Sequence, residues 1–147
     1  APGSWLQVLK EYKNINFIVG IDLLNIIPID GVHFAKQDIS SFKSYSKLFE
    51  KKKSNLDLVL SDIAPNITGI SDIDQSNFSD IASNILGFCR FKLKPEGSLI
   101  MKYFLGSSFE STLKILGNNF NKTNVFKPAS SKKKSNEVYL ICIGFKD

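Results

Sequence analysis

The sequence has very few residues that bind metals or form disulfide bridges. It contains one histidine, His33, and two cysteines, Cys89 and Cys142, which form no C-x-x-C motif. Because these three cannot supply the ligand set of a metal site, we expect no metal. Both cysteines lie in apolar segments, which predicts buried free thiols and a reducing compartment.

Long apolar runs are also missing. No run approaches the roughly 18 residues of a membrane span, and no signal peptide is visible, although the chain starts with Ala-Pro-Gly rather than Met. With 147 residues and 43% hydrophobic content, the chain is long enough for one hydrophobic core. We therefore expect a single domain over residues 1–147, monomeric and with no membrane partner.

The charge of the chain is positive and clustered. Its formal net charge is +5, and two runs of three lysines occupy residues 51–53 and 132–134. Such runs neutralise phosphates without reading sequence. Arg90 is the only arginine, and a Lys- and Asn-rich composition also follows from A+T-rich coding. The first run either contacts nucleic acid or is ordinary exposed surface. Lys132, Lys133 and Lys134 are favoured for RNA because their loop, residues 131–136, is adjacent to Glu137, a candidate site residue.

The central stretch is LDLVLSDIAPNITG, residues 56–69. Its apolar start predicts a buried parallel strand, and ligands in open α/β sheets bind at the carboxyl ends of such strands. Asp62 stands at that end. The alternative is that Asp62 only caps the loop that follows.

Two earlier strand patterns, residues 16–22 and 31–38, also end in acids. Asp22 follows Gly3 at about the 20-residue spacing that separates the glycine turn from the ribose-binding acid in nucleotide-binding units. Gly3 precedes a predicted helix with Trp5, Val8, Leu9 and Tyr12 on one face. Asp38 either holds a purine amino group or caps the next helix. His33 lies between these two acids, and we expect it to be a packed strand residue rather than a catalyst.

A lysine interrupts the apolar strand SLIMKYF. Burying the charged Lys102 side chain there costs free energy unless the charge is paired or reaches water. A lysine at this position therefore favours a functional role. Strand and helix patterns alternate along the chain, and this predicts a mostly parallel, doubly wound sheet. No helix pattern separates the last two strands, so we expect them to pair antiparallel and to bring Glu137 into the same crevice. The result is a nucleotide site beside an Asp, Lys and Glu cluster.

The motifs APGSW, GIDLL, QDI, LVLSDIAPNITG, GSLIMKYFLG and KPASSKKKSNEVY, in this order, resemble the FtsJ-type 2′-O-ribose methyltransferases. The resemblance covers essentially the whole chain and is closest to the bacterial and organellar branch that acts on large-subunit ribosomal RNA. It implies a Rossmann-like fold, S-adenosylmethionine as cofactor and a Lys, Asp, Lys, Glu tetrad. Asp62, Lys102 and Glu137 match its last three members.

The resemblance also implies where the cofactor is bound. The matching positions are Pro2, Gly3, Trp5, Asp22, Leu23, Asp38, Ile39 and Asp62. The family's upstream helix with the first tetrad lysine, and its first strand, have no match here, so we expect an amino-terminal truncation. The implied location is the cytoplasm of a bacterium, or the mitochondrion of a eukaryote.

The expected reaction is methyl transfer to a ribose 2′-oxygen, of a uridine by resemblance, in large-subunit ribosomal RNA. In this in-line displacement the protein positions the hydroxyl and helps to remove its proton. Lys102 is the candidate base or oxygen-steering group, and the two carboxylates orient it. The alternatives are the same chemistry on a tRNA anticodon loop, or an RNA- or cofactor-binding remnant without activity. A nicotinamide dehydrogenase is disfavoured because a full G-x-G-x-x-G is missing.

Overall fold

The computed structural model of the chain describes residues 2–41, 55–129 and 135–146. Their elements, in chain order, are α1 (Ser4–Lys10), β1 (Ile18–Asp22), β2 (Val32–Lys36), β3 (Leu56–Ser61), α2 (Ser71–Lys92), β4 (Leu93–Phe104), α3 (Phe109–Asn119), β5 (Phe120–Phe126) and β6 (Glu137–Phe145). The chain divides into two compact units, Ala1–Lys53 and Ser54–Asp147, each of which is described by itself. That residues 1–147 form one domain remains a prediction.

The first unit contains a parallel pair of strands. β1 and β2 align from Ile18 beside Val32 to Asp22 beside Lys36. Helix α1 packs on β1 through Leu6, and a side chain at Gly20 would collide with it, since a Cβ there would lie 2.6 Å from Leu6 Cδ1. The missing side chain at position 20 therefore lets the helix approach the strand closely.

The prediction that Trp5, Val8, Leu9 and Tyr12 share one face of the first helix is partly wrong. The helix ends at Lys10, so Tyr12 lies beyond it, and the Val8 and Tyr12 side chains are exposed. Leu6 instead makes the contact, because the space above the glycine in β1 lies opposite its side chain. The expectation that His33 is packed is also wrong: it lies in β2, but it is exposed and touches the ring of Phe17 on one side.

The second unit contains a four-stranded sheet in the order β3, β4, β6, β5. β3 and β4 are parallel, while β6 runs antiparallel to both β4 and β5. The predicted antiparallel pairing of the last two strands is thus confirmed. Three of the four strands share one direction, so β3, β4 and β5 end on the same side of the sheet, where β6 begins.

One face of this sheet carries the core of the second unit. Leu99, Met101 and Tyr103 of β4 and Leu140 of β6 are buried there. Both helices pack on this face, as shown by ring contacts of Tyr103 with Phe78 of α2 at 5.9 Å and with Phe109 of α3 at 6.2 Å. The predicted buried free thiols, Cys89 and Cys142, are confirmed and lie within the same core.

The other face of the sheet is less buried. In β3, Val59 and Ser61 are buried, whereas Leu58 is 40% exposed. The strand predicted to be buried is therefore parallel, as expected, but covered on one face only. The buried side chains Val59 and Ser61 project from the face on which α2 packs against β3. None of the described helices is long and apolar enough to cross a membrane.

Candidate active site

Four residues of the second unit form a row across the end of the sheet. Lys102 of β4 pairs with Tyr139 of β6, and Tyr139 pairs in turn with Phe126 of β5. Cross-strand partners project from the same face. Ser61, the last residue of β3, aligns with Met101, so Asp62, the next residue, comes alongside Lys102, two residues before the end of β4. We call these four residues the site row.

Glu137 joins this row from the start of β6. It lies two residues before Tyr139 and projects from the same face, because side chains alternate along a strand. Burial raises the pKa of the Tyr139 phenol, and the Glu137 and Asp62 carboxylates raise it further. Both carboxylates therefore act electrostatically on the phenol of Tyr139, the cross-strand partner of Lys102. The structure brings Asp62, Lys102 and Glu137 together, as the sequence predicts.

The charged groups of this cluster are accessible. Asp62 is exposed, while Lys102 and Glu137 are half-buried. In the described ranges, the ion pairs are Lys10–Asp30 and Lys94–Asp57, and none joins Lys102 to a carboxylate. The same ranges contain no group of three or more His, Cys, Asp or Glu side chains arranged to hold a metal ion. The lysine is thus oriented toward a ligand-accessible surface without a direct counter-ion among these residues.

The loop after Asp62 is held from the first turn of α2. The Asp74 carboxylate accepts hydrogen bonds from the Thr68 backbone N–H and hydroxyl, both at 2.8 Å, and from the Gly69 N–H at 3.1 Å. The Thr68 bonds lower the pKa of Asp74. Across the described residues, Asp62 makes no hydrogen bond to this loop, so the alternative role as a loop cap is not observed. Sequence reasoning missed the holding role of Asp74.

A buried polar network supports the segment after Lys102. The Tyr103 hydroxyl lies 2.7 Å from Ser108 Oγ and 2.9 Å from Thr112 Oγ1. Ser108 in turn donates to Gln75 Oε1 of α2 through its hydroxyl at 2.9 Å and its backbone N–H at 3.2 Å. These bonds fix the turn from β4 into α3. Nothing in the sequence signals them, because Tyr103 lies in an apolar strand and Gln75 is 33 positions before its partner.

The cofactor-binding candidates of the first unit lie at or just after the ends of β1 and β2 and around the start of α1. The Asp22 carboxylate accepts the Leu24 N–H at 2.8 Å, and the Gln37 N–H donates to the Asp22 carbonyl at 2.9 Å. Gly3 has a φ of 100°, a left-handed conformation that favours glycine. Around these residues, Pro2 and Leu23 are exposed, and Trp5 and Ile39 are half-buried.

Asp38 has the capping role that was one of its two predicted functions. Its carboxylate accepts the Ser40 N–H at 2.8 Å, and these Ser40 hydrogen bonds lower its pKa. A carboxylate that caps a turn still has acceptor capacity, because each oxygen carries two lone pairs. Acidic acceptors at the ends of two parallel strands suit the hydroxyl and amino donors of an adenosine, so these residues fit the cofactor implied by the resemblance.

Both lysine runs, residues 51–53 and 132–134, lie outside the described residues. So does a third segment, whose apolar residues are spaced as one face of a helix and predict one there: Phe42, Tyr45, Leu48 and Phe49. The described residues flanking the second run are anchored near the site. Lys127 Nζ donates to the Ser135 carbonyl at 2.7 Å, and the Leu105 N–H donates to the Asn136 carbonyl at 2.9 Å.

The family model of the FtsJ-like methyltransferases matches residues 1–145, and the chain belongs to this family. Among curated relatives, the ribosomal RNA large subunit methyltransferase E of Francisella philomiragia is 37% identical, over 99% of this chain and 72% of the relative. The protein of the same name from Methylobacillus flagellatus is 38% identical, over 96% of this chain and 69% of the relative.

Solved structures agree with the predicted Rossmann-like fold. A ribosomal RNA methyltransferase from Plasmodium falciparum superimposes with a TM-score of 0.86 and 32% identity, over 98% of this chain and 81% of that one. Human methyltransferase-like protein 13, crystallised with SAH, has a TM-score of 0.58 at 15% identity, over 98% of this chain and 58% of that one, and shares the fold alone. The α/β methyltransferase fold class is thereby confirmed.

Proposed function

We propose that the protein transfers a methyl group from S-adenosylmethionine to the 2′-oxygen of a ribose in large-subunit ribosomal RNA. The observation that carries this proposal is the convergence of Asp62, Lys102 and Glu137 at one end of the sheet, in a member of the FtsJ-like family. The RNA class is supported by the names of the curated relatives and by the net charge of +5. The methylated nucleotide is a uridine by resemblance.

The proposed cofactor contacts divide by chemistry. Asp22 accepts hydrogen bonds from ribose hydroxyls, Asp38 accepts from the adenine amino group, and the backbone at Gly3 approaches the methionine part. The side chains of Trp5, Leu23 and Ile39 line the adenosine, with Pro2 preceding the glycine turn. The bound cofactor supplies the methyl group. These contacts are supported by the acidic strand ends and the left-handed glycine of the first unit.

The proposed catalytic roles follow from position in the site row. Lys102 Nζ hydrogen-bonds the reacting ribose oxygen, holds it in line for displacement and assists the loss of its proton. Asp62 orients the lysine and also places a negative charge toward the positively charged sulfonium. Glu137 supports the lysine from the antiparallel strand. The lysines at 132–134 bind RNA phosphates without reading sequence.

The test of this function is methylation of large ribosomal subunits that lack the modification. Lys102→Ala is expected to lower the single-turnover rate by about 10²- to 10⁴-fold, as for loss of a positioned proton-transfer group. Cofactor affinity, measured separately by calorimetry, should stay nearly unchanged. Asp62→Ala should damage both affinity and rate, and Glu137→Ala should be milder than either.

Lys114→Ala is the matched control, since Lys114 is an exposed lysine of α3, a helix that packs on the sheet face opposite the site row. Its rate should equal that of the parent protein. A Lys102→Ala protein that methylates at the parent rate removes the lysine from the mechanism. Calorimetry with S-adenosylmethionine and with NAD tests the cofactor, and binding of NAD alone would contradict the proposal.

A further inference from the structure

The outer half of the site row is aromatic and has no role in the chemistry above. Phe126, at the end of β5, is 51% exposed. It projects from the same face as its partner Tyr139, which in turn lies beside Lys102. A large apolar ring that is open next to a charged cluster can stack on a flat partner, which would bury its exposed surface.

We propose that Phe126 and Tyr139 form an aromatic platform on which a nucleobase of the RNA substrate stacks. This inference rests on the proposed function, since it places the base of the nucleotide whose ribose is held at Lys102. The platform is a specificity and binding surface for unpaired nucleotides, and it is separate from the residues that act on the ribose oxygen.

The geometry of the row suits one nucleotide. Neighbouring strands lie about 4.8 Å apart, so Tyr139 stands one spacing and Phe126 about 10 Å from Lys102 along the row. In a nucleotide, the base is bonded to C1′, the neighbour of the carbon that carries the 2′-oxygen. The base of a ribose held at Lys102 is therefore within reach of the Tyr139 and Phe126 rings.

The basic and polar side chains beside the two rings favour RNA over an apolar partner. Burial and then the Glu137 and Asp62 carboxylates raise the pKa of the Tyr139 phenol, so this ring carries no charge of its own at neutral pH. Farther along β5, Asn124 and the exposed Lys122 project from the same face as Phe126. Aromatic rings beside basic and polar side chains are how proteins bind single-stranded nucleic acid, where stacking tolerates any base.

The test uses binding and does not depend on methylation. Two fluorescent probes of equal length and charge are compared: a 12-nucleotide oligouridylate and a 12-unit abasic ribose-phosphate oligomer. Phe126→Ala should weaken oligouridylate binding by about 5- to 150-fold, which corresponds to the loss of one stacked base, and should leave abasic binding unchanged. Phe126→Tyr should restore the affinity, and Tyr139→Phe should retain it because the ring remains.

Val125→Ala is the matched control, since Val125 is 47% exposed on the same strand but projects from the opposite face. Its affinity for both probes should equal that of the parent. Equal weakening of both probes by Phe126→Ala, no weakening of either, or the same loss in Val125→Ala would overturn the platform. Self-association that Phe126→Ala abolishes, with RNA binding intact, would assign the surface to a second copy of the chain.

The outcomes separate the platform from the proposed function. If the parent protein methylates ribosomal RNA but the probe test fails, the proposed function stands and the platform is refuted. If the probe test succeeds but the protein does not methylate RNA, the platform stands and the proposed function is refuted. In turnover, the platform predicts that Phe126→Ala raises the KM for RNA more than it lowers kcat.

Discussion

The Tyr103 hydroxyl is expected to contribute strongly to the stability of the second unit. In Tyr103→Phe the ring still packs against Phe78 and Phe109, so no cavity forms, but the bonds to Ser108 and Thr112 are lost. Ser108 keeps its bond to Gln75. Thr112 is 3% exposed and, among the described residues, loses the only hydrogen-bond partner of its hydroxyl.

The magnitude follows from that one unsatisfied group. A buried hydroxyl without a partner costs about 1–3 kcal/mol. For a protein of about 150 residues, each kcal/mol lowers Tm by about 2–4 °C, so Tyr103→Phe should lower Tm by about 2–12 °C. Circular dichroism during heating, at fixed concentration and pH, measures this shift.

A double variant makes this test sharper. Thr112→Val replaces the hydroxyl by a methyl group of similar shape, so Tyr103→Phe combined with Thr112→Val removes both partners. The double variant should therefore be less destabilised than the sum of the two single variants. A Tyr103→Phe protein that melts within about 1 °C of the parent, or strictly additive effects, would refute the reasoning.

Three further predictions concern charge and burial. The hydrogen bonds from Thr68 lower the pKa of Asp74, so the contribution of Asp74 to stability is present above the unfolded pKa of 3.8 and is lost as pH falls through the lower folded pKa. The Tm difference between the parent and Asp74→Asn should therefore shrink below about pH 3.8. A difference that stays constant with pH would contradict this. Burial raises the thiol pKa of Cys89 to about 12 and of Cys142 to about 11, so neither should react with a thiol reagent at pH 8 until the protein unfolds. Replacing lysines 132–134 by glutamine should lower the salt slope of RNA binding by about one per lost phosphate contact, and more than the same change at 51–53; equal slopes for the two variants would show that position does not matter.

Local patterns were sufficient to predict most of the described elements and the acids at the strand ends. Apolar runs of strand length ending in Asp22 and Asp62 are short-range features, and the structure places both acids at strand ends. The helix contact made by Leu6 was missed because it depends on the space above Gly20, a residue in another element. Periodicity reports which residues share a face of one element, but not what that face meets.

The sequence by itself determined the family, the alternation of strands and helices, and the identity of the Asp, Lys and Glu side chains, because these follow from residue types and spacing along the chain. Only the tertiary structure decided that β6 lies between β4 and β5, and so that Tyr139 stands between Lys102 and Phe126. Strand order and register are set by packing between segments far apart in the chain, and a shift of one residue would turn Lys102 into the core. That long-range choice places the two rings of the proposed platform beside Asp62, Lys102 and Glu137.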